Sequence, residues 1–294
     1  MSDERLRASS IAIVTVVGLL VIKLTVGLIT SSVSVLSQAV DSATDLVSSA
    51  LAFLAVRKSA APPDPQHSYG HSKYENLASL VVGLIIIFAA VLVAIEAAER
   101  LLDGQQVEMV EYGIAVMAVS VITNLAVSSY LFRAARRERS MALEADATHL
   151  RNDVLSNLGV LIGLALIYLT GLVAIDSLIA IVLSAYIVVT GLQLIRRASA
   201  DLLDEAIDPE EERIVREVLG EHAPAFRSFH ALRTRQGGSA DYIEVHLGVE
   251  PGTSVDEAHE LAHHLEEEIQ KRLPHVRASI HVEPVDQRRL VPPS

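Results

Sequence analysis

Hydrophobic residues along this chain gather into six long runs, at Ile11–Ile29, Val33–Val56, Leu77–Ile95, Gly113–Phe132, Val154–Val173 and Ser177–Ile195. Each is roughly 19 to 24 residues long, close to the ~20 that carry a helix across a hydrocarbon core. The pattern predicts six transmembrane helices. The first run lacks a strongly basic leader and a small-residue cleavage site, so it is expected to stay in the protein rather than act as a removable signal. After Ile195 the apolar runs stop and a charged region begins. There Asp208 and Pro209 read as the N-cap and first position of a helix over Pro209–Glu221. Phe229–Arg235 and Tyr242–Val249 read as strands around the turn Gly237-Gly238. Ser254 and Glu257 fit a capping box opening an amphipathic helix to Leu273, and Arg277–Val282 reads as a last strand. The order αββαβ predicts a small α+β, ferredoxin-like sandwich. The expected domains are a six-helix membrane domain over 1–200, a cytoplasmic αββαβ domain over 201–285 and a disordered tail over 286–294.

Composition agrees, since 51% of the 294 residues are hydrophobic and concentrated in runs. Basic residues orient the spans. Arg5 and Arg7, then Arg57, Lys58 and Lys73, then Arg133, Arg136, Arg137 and Arg139, and finally Arg196 and Arg197 all fall on one side if the spans alternate. The opposite loops, Thr30–Ser32, Glu99–Tyr112 and Gly171–Asp176, contain only Arg100. By the positive-inside rule both termini are cytoplasmic. The chain has no cysteine, so thiolate metal sites and disulfides are excluded and any metal must be held by carboxylate and imidazole. Much of the net charge of −12 lies in the last domain, which argues against a nucleic-acid partner and suits a cation.

The chemistry lies within the apolar runs. Asp41 and Asp45 are four apart in the second, so both carboxylates project from one helix face, and His149 with Asp153 repeats that spacing at the start of the fifth. Ionised groups in hydrocarbon cost at least a few kcal/mol, so they persist where they face the bundle interior and share a counter-ion. Three carboxylates and one imidazole match a tetrahedral site for a borderline divalent ion such as zinc. The blander alternative is that such residues face interfacial water at helix ends. Asn157, Gln38 and Ser37 are candidate supporting donors, and Lys23 has no partner that the sequence assigns.

Four features together resemble the cation diffusion facilitators, bacterial zinc/proton antiporters of the ferrous-iron-efflux type. They are DxxxD at Asp41–Asp45, HxxxD at His149–Asp153, the HSYGHxKxE loop from His67 to Glu75, and the αββαβ tail. The resemblance implies a homodimer in the bacterial inner membrane whose transport site is Asp41, Asp45, His149 and Asp153. It implies a loop site at Asp64, His67 and His71. It further implies a binuclear zinc site in the cytoplasmic domain from His230, His246, His259 and His281, with Glu283 where the family commonly has Asp, and an interprotomer salt bridge between Lys73 and Asp204. Family members for manganese carry Asp in place of the span-five His, so His149 favours Zn²⁺, with Cd²⁺, Fe²⁺ or Co²⁺ as further substrates.

One motif competes. His259-Glu260-Leu261-Ala262-His263 matches HExxH, in which two histidines bind zinc and the glutamate acts as general base, so a membrane-tethered zinc metallopeptidase is the rival reading. That reading leaves both intramembrane pairs without a role, as does a membrane-anchored metal sensor. All four ligands of the transport tetrad titrate, and metals require deprotonated ligands, so export of the ion in exchange for protons by alternating access is the expected mechanism, with His149 as the expected proton carrier. His222 and His275 read as solvent-facing.

Overall fold

The computed structural model describes every residue except Met1, 31–32, 104–110, 171–173 and 286–294, so the expected disordered tail lies outside the described residues. The chain divides into two compact units, 1–199 and 200–294.

The first unit is six long helices: α1 Ser2–Thr30, α2 Val33–Ser59, α3 Lys73–Asp103, α4 Glu111–Glu138, α5 Met141–Thr170 and α6 Ala174–Leu202. By length and composition α1, α3, α4, α5 and α6 can each cross a membrane. α2 has the length, at 27 residues, but Asp41, Ser42, Thr44, Asp45, Ser48 and Ser49 dilute its apolar character. One of its cores joins Ala12 and Val16 of α1, Ala52 and Val56 of α2, Leu131 of α4, and Leu143 and Leu150 of α5. Small residues let the helices approach. A Cβ on Gly83 of α3 would stand 2.7 Å from Ile195 Cγ1, and one on Gly191 of α6 2.6 Å from Ile87 Cγ1, so this crossing requires glycine on both sides.

The helices outrun their apolar segments. α5 begins at Met141, not near Val154, because the alanine-rich stretch Met141–Asp153 is a good helix former, and its side chains from Ala142 to Leu150 are buried apart from half-buried Glu144. His149 and Asp153 are therefore two to three turns inside a helix, which removes the reading that they sit at a helix start. Glu75, the acid that closes the loop motif, stands in the first turn of α3, buried. It accepts from Arg5 of α1 at 2.9 Å and from the hydroxyls of Ser59, at the end of α2, and Ser140, between α4 and α5. This end of the bundle is gathered on one carboxylate.

The second unit contains α7 Pro209–Glu221, β1 Ser228–Arg235, β2 Asp241–Val249, α8 Val255–Arg272 and β3 Val276–Pro284. The strands form one sheet in the order β1-β2-β3, antiparallel then parallel. Ile243, Val245 and Leu247 of β2 face a core with Val215, Val218 and Leu219 of α7 and Leu265 and Ile269 of α8. The other sheet face carries His246. The caps are those the sequence predicts: Asp208 accepts from the amide of Glu210, and Ser254 and Glu257 form a reciprocal capping box.

Bonds from the amide and hydroxyl of Ser254 hold Glu257 below the usual glutamate range. A depressed carboxyl stabilises the fold above its unfolded value, near 4.5, and loses that contribution as pH falls through its folded value. Ser254→Ala is therefore expected to lower tail stability by roughly 1 kcal/mol at neutral pH and to flatten its acid dependence, as read from unfolding at pH 7 and pH 3.

Candidate metal centre

Three donor groups converge where α2 meets α5. Asp45, His149 and Asp153 each offer an atom within 4.8 Å of the others. His149 Nε2 lies 3.2 Å from Asp45 Oδ1, both side chains are largely buried, and Asp153 Oδ2 is shut from solvent with no hydrogen-bond partner. A buried, unbonded carboxylate oxygen beside an imidazole is what a cation would satisfy.

Asp41 is not brought into this cluster. It lies one turn earlier on α2 and is exposed on the bundle. Four residues along a helix is about 6 Å of rise, so Asp41 and Asp45 stand at different levels and only Asp45 is at the level of His149 and Asp153. Asn157 donates to the backbone carbonyl of Asp153 at 2.8 Å, not to its carboxylate. Gln38 Oε1 is buried without a partner, and the Ser37 side chain falls outside the described residues. Lys23 finds its partner here: buried on α1, it donates to Ser42 of α2 at 2.7 Å, within electrostatic reach of Asp45, Asp153 and Asp41. Sequence reasoning passed over Asp146. It is fully buried one turn before His149, and its Oδ1 accepts from Ser49 of α2 at 2.8 Å. Its spacing from His149 was no clearer than that of any acid in a polar stretch.

The loop between α2 and α3 assembles Asp64, His67 and His71. The amides of His67 and Gln66 donate to Asp64 Oδ1 at 2.7 and 2.9 Å, folding the segment back on itself, with Gly70 at φ 87°. His67 Nδ1 is 3.1 Å from Asp64 Oδ1 and His71 Nε2 3.2 Å from Oδ2. Desolvation works against ionisation of Asp64, but the His67 and Gln66 amides and the His67 ring outweigh it and hold the carboxyl below the usual carboxylate range. It stays charged for a cation at neutral pH.

On the open face of the tail sheet, His230, His246 and His281 stand abreast across the three strands. Glu283 reaches His230 Nε2 at 3.3 Å through Oε1 and His246 Nδ1 at 3.4 Å through Oε2, so His230, His246 and Glu283 form one cluster. Its imidazole and carboxylate donors fit a divalent ion. The His281 ring is 4.8 Å from that of His246 but outside the cluster, and His259, exposed on α8, is outside it too. Asp204 is held within its own chain by Arg235 at 3.1 Å.

Of the two histidines read as solvent-facing, His275 is corrected: half-buried, it meets Glu211 and Asp241. His222 is partly exposed, its Nε2 3.2 Å from that of His264. In the HExxH segment, the His259 and His263 rings lie 6.2 Å apart, His263 pairs with Glu267, and no cluster of three donors among the described residues includes either.

The chain matches the family model of the cation efflux transmembrane domain over residues 9–203 and that of the cation efflux protein cytoplasmic domain over residues 207–285. It is a cation efflux protein, of the cation diffusion facilitator family. This cation efflux protein is 34% identical over 256 residues to the cation-efflux pump FieF of Pectobacterium atrosepticum, covering 87% of this chain and 85% of that one. It is 33% identical over 266 residues to FieF of Serratia proteamaculans, covering 90% and 88%. Among solved structures it is similar to the Zn form of CzrB, at 38% identity over 29% of this chain and 98% of that one with TM-score 0.28. It is also similar to the metal-bound C-terminal domain of the CzcD transporter from Thermotoga maritima, at 33% identity over 26% and 87% with TM-score 0.24. A cation efflux protein is a membrane transporter of metal cations, and the peptidase reading falls. Its cytoplasmic domain is the family's dimer domain, which points to a homodimer.

Proposed function

We propose that this cation efflux protein exports Zn²⁺ from the cytoplasm in exchange for protons, loading the ion at Asp45, His149 and Asp153. The observation that carries this reading is the enclosed convergence of two carboxylates and an imidazole, with Asp153 Oδ2 unbonded. In this reading Asp41 completes the set by turning toward Asp45, and the tetrad is reached from the cytoplasmic side, the side of both termini under the positive-inside rule. Ligands that bind the ion only when deprotonated couple its release to proton uptake, so one carrier serves both gradients as the bundle alternates its access. Lys23 offsets part of the negative charge after the ion leaves.

The loop residues Asp64, His67 and His71 are read as a second ion site near the entrance. In the tail, His230, His246 and Glu283, completed by His281 and His259, would hold resident zinc at the dimer contact. When bound, that zinc supplies a cross-link between strands and protomers. Lys73 of one protomer and Asp204 of its partner are retained as the interprotomer salt bridge.

Zinc flux into proteoliposomes under an imposed pH gradient tests the central reading. Zinc is expected to move against the proton gradient and to reverse when the gradient is reversed. Equal flux with and without a gradient would rule out proton exchange, and absence of zinc flux beside flux of another divalent ion would rule out zinc as substrate. His149→Asp gives an all-oxygen set, which suits manganese better than zinc. The ratio of manganese to zinc flux is expected to rise in that variant, and an unchanged ratio would show that His149 does not set the preference.

A further inference from the structure

The far end of the tail sheet carries another group of donors, on elements that chain order separates. Glu211 stands in the first turn of α7, Asp241 opens β2, and His275 immediately precedes β3. One donor atom from each lies within 4.8 Å of the other two. His275 Nε2 is 3.1 Å from Glu211 Oε1 and 3.5 Å from Asp241 Oδ2. Ligands on a tetrahedral ion with bonds of about 2.0–2.1 Å stand about 3.3 Å apart, so both separations suit a shared ion.

Two details favour an ion over a simple charge clamp. His275 Nε2 is closed off from solvent, and despite both short distances it makes no hydrogen bond with either carboxylate. A protonated imidazole clamping a carboxylate at that range would align its N–H on one oxygen. The second detail is the framework. The Asp241 side chain is only 2% exposed, with Oδ2 3.5 Å from His275 Nε2; its amide donates to the His275 carbonyl at 3.1 Å, and its Oδ1 accepts from the Gly237 amide at 3.4 Å. Glu211 and His275 are each 23% exposed, which gives the group a route to solvent.

This group is separate from the histidine row. Asp241 and His246 are five residues apart on β2, about 17 Å along a strand. Asp241 shares the helix-covered face with Ile243, Val245 and Leu247, whereas His246 is on the open face.

We propose that Glu211, Asp241 and His275 form a further divalent-cation site in the cytoplasmic domain. Two carboxylates and an imidazole suit a borderline first-row ion such as Zn²⁺, with water at the remaining position. A bound ion ties the first turn of α7 to the start of β2 and the entry to β3. The stability of the tail thereby becomes linked to cytoplasmic metal, independently of the row on its other face.

The test uses the full chain in nanodiscs with the row disabled by His230→Ala, His246→Ala and Glu283→Gln. Bound metal is counted after Zn²⁺ loading, and Co²⁺ absorption is recorded in parallel, before and after adding Glu211→Gln or His275→Gln. Glu211→Gln is expected to remove one ion per protomer and its Co²⁺ band while leaving the metal-free melting temperature unchanged. An unchanged ion count and spectrum in Glu211→Gln overturns the proposal and leaves the group a charge clamp. If His275→Gln does not fold, the part-exposed Glu211→Gln decides alone.

Discussion

Asp45→Asn is expected to abolish zinc flux, with a loss of at least about 100-fold, since removal of a ligand should exceed the 10–100-fold commonly lost with groups that only support ligands. Asparagine keeps the size of aspartate and can still hydrogen-bond to His149, so α2 and its packing on α5 remain. What disappears is one carboxylate oxygen from the largely buried cluster proposed to hold the ion. The decisive comparison is Glu260→Ala, on the exposed side of α8, which is expected to transport like the wild type. Normal flux in Asp45→Asn proteoliposomes, at equal reconstitution, would sink the transport-site reading. Loss of flux in Glu260→Ala instead would reopen a role for the HExxH segment.

Ile243→Ala carries the largest expected effect on stability. The side chain is fully buried in the middle of the tail core, so truncation removes apolar burial and leaves a cavity, at a cost of about 2–5 kcal/mol. That is a large share of what a small domain has in reserve. The strand that carries Ile243 also carries His246 on its opposite face, so loosening β2 should also disperse the row that includes His230 and Glu283. Amide hydrogen exchange across β1–β3 should accelerate, and tail-bound zinc should fall with it. His246→Ala should lose the metal without that acceleration. Unchanged protection in Ile243→Ala would show that the sheet does not depend on this core.

The tail was the most legible part of the chain. Asp208, Pro209, Ser254 and Glu257 announce helix starts by local chemistry, and β2 alternates strictly enough to assign its faces. The membrane helices were legible in number but not in extent. Apolar content locates what crosses hydrocarbon, whereas the polar start of α5 is helical through its alanines and its packing on other helices, neither of which an apolar run records. Four-residue spacing placed Asp41 and Asp45 on one face but could not say which rotamer reaches across to α5. Glu75, Asp146 and His275 were hidden for one reason: each acquires its meaning from partners far away in sequence, 65 or more positions for the Ser140 and Arg5 contacts of Glu75 and 97 for the Ser49 contact of Asp146.

The polarity of α2 also bears on how the protein is made. On translocon scales each carboxylate near a helix centre costs about 2.5–3.5 kcal/mol, so a helix with Asp41, Asp45 and several serines partitions poorly by itself. α1 precedes it across a short connection, packs along it and places Lys23 against Ser42. The segment that carries the proposed cargo site is thus set to enter the bilayer during synthesis as half of a hairpin with α1, and variants that make α1 more polar should reduce the yield of inserted protein before they affect transport.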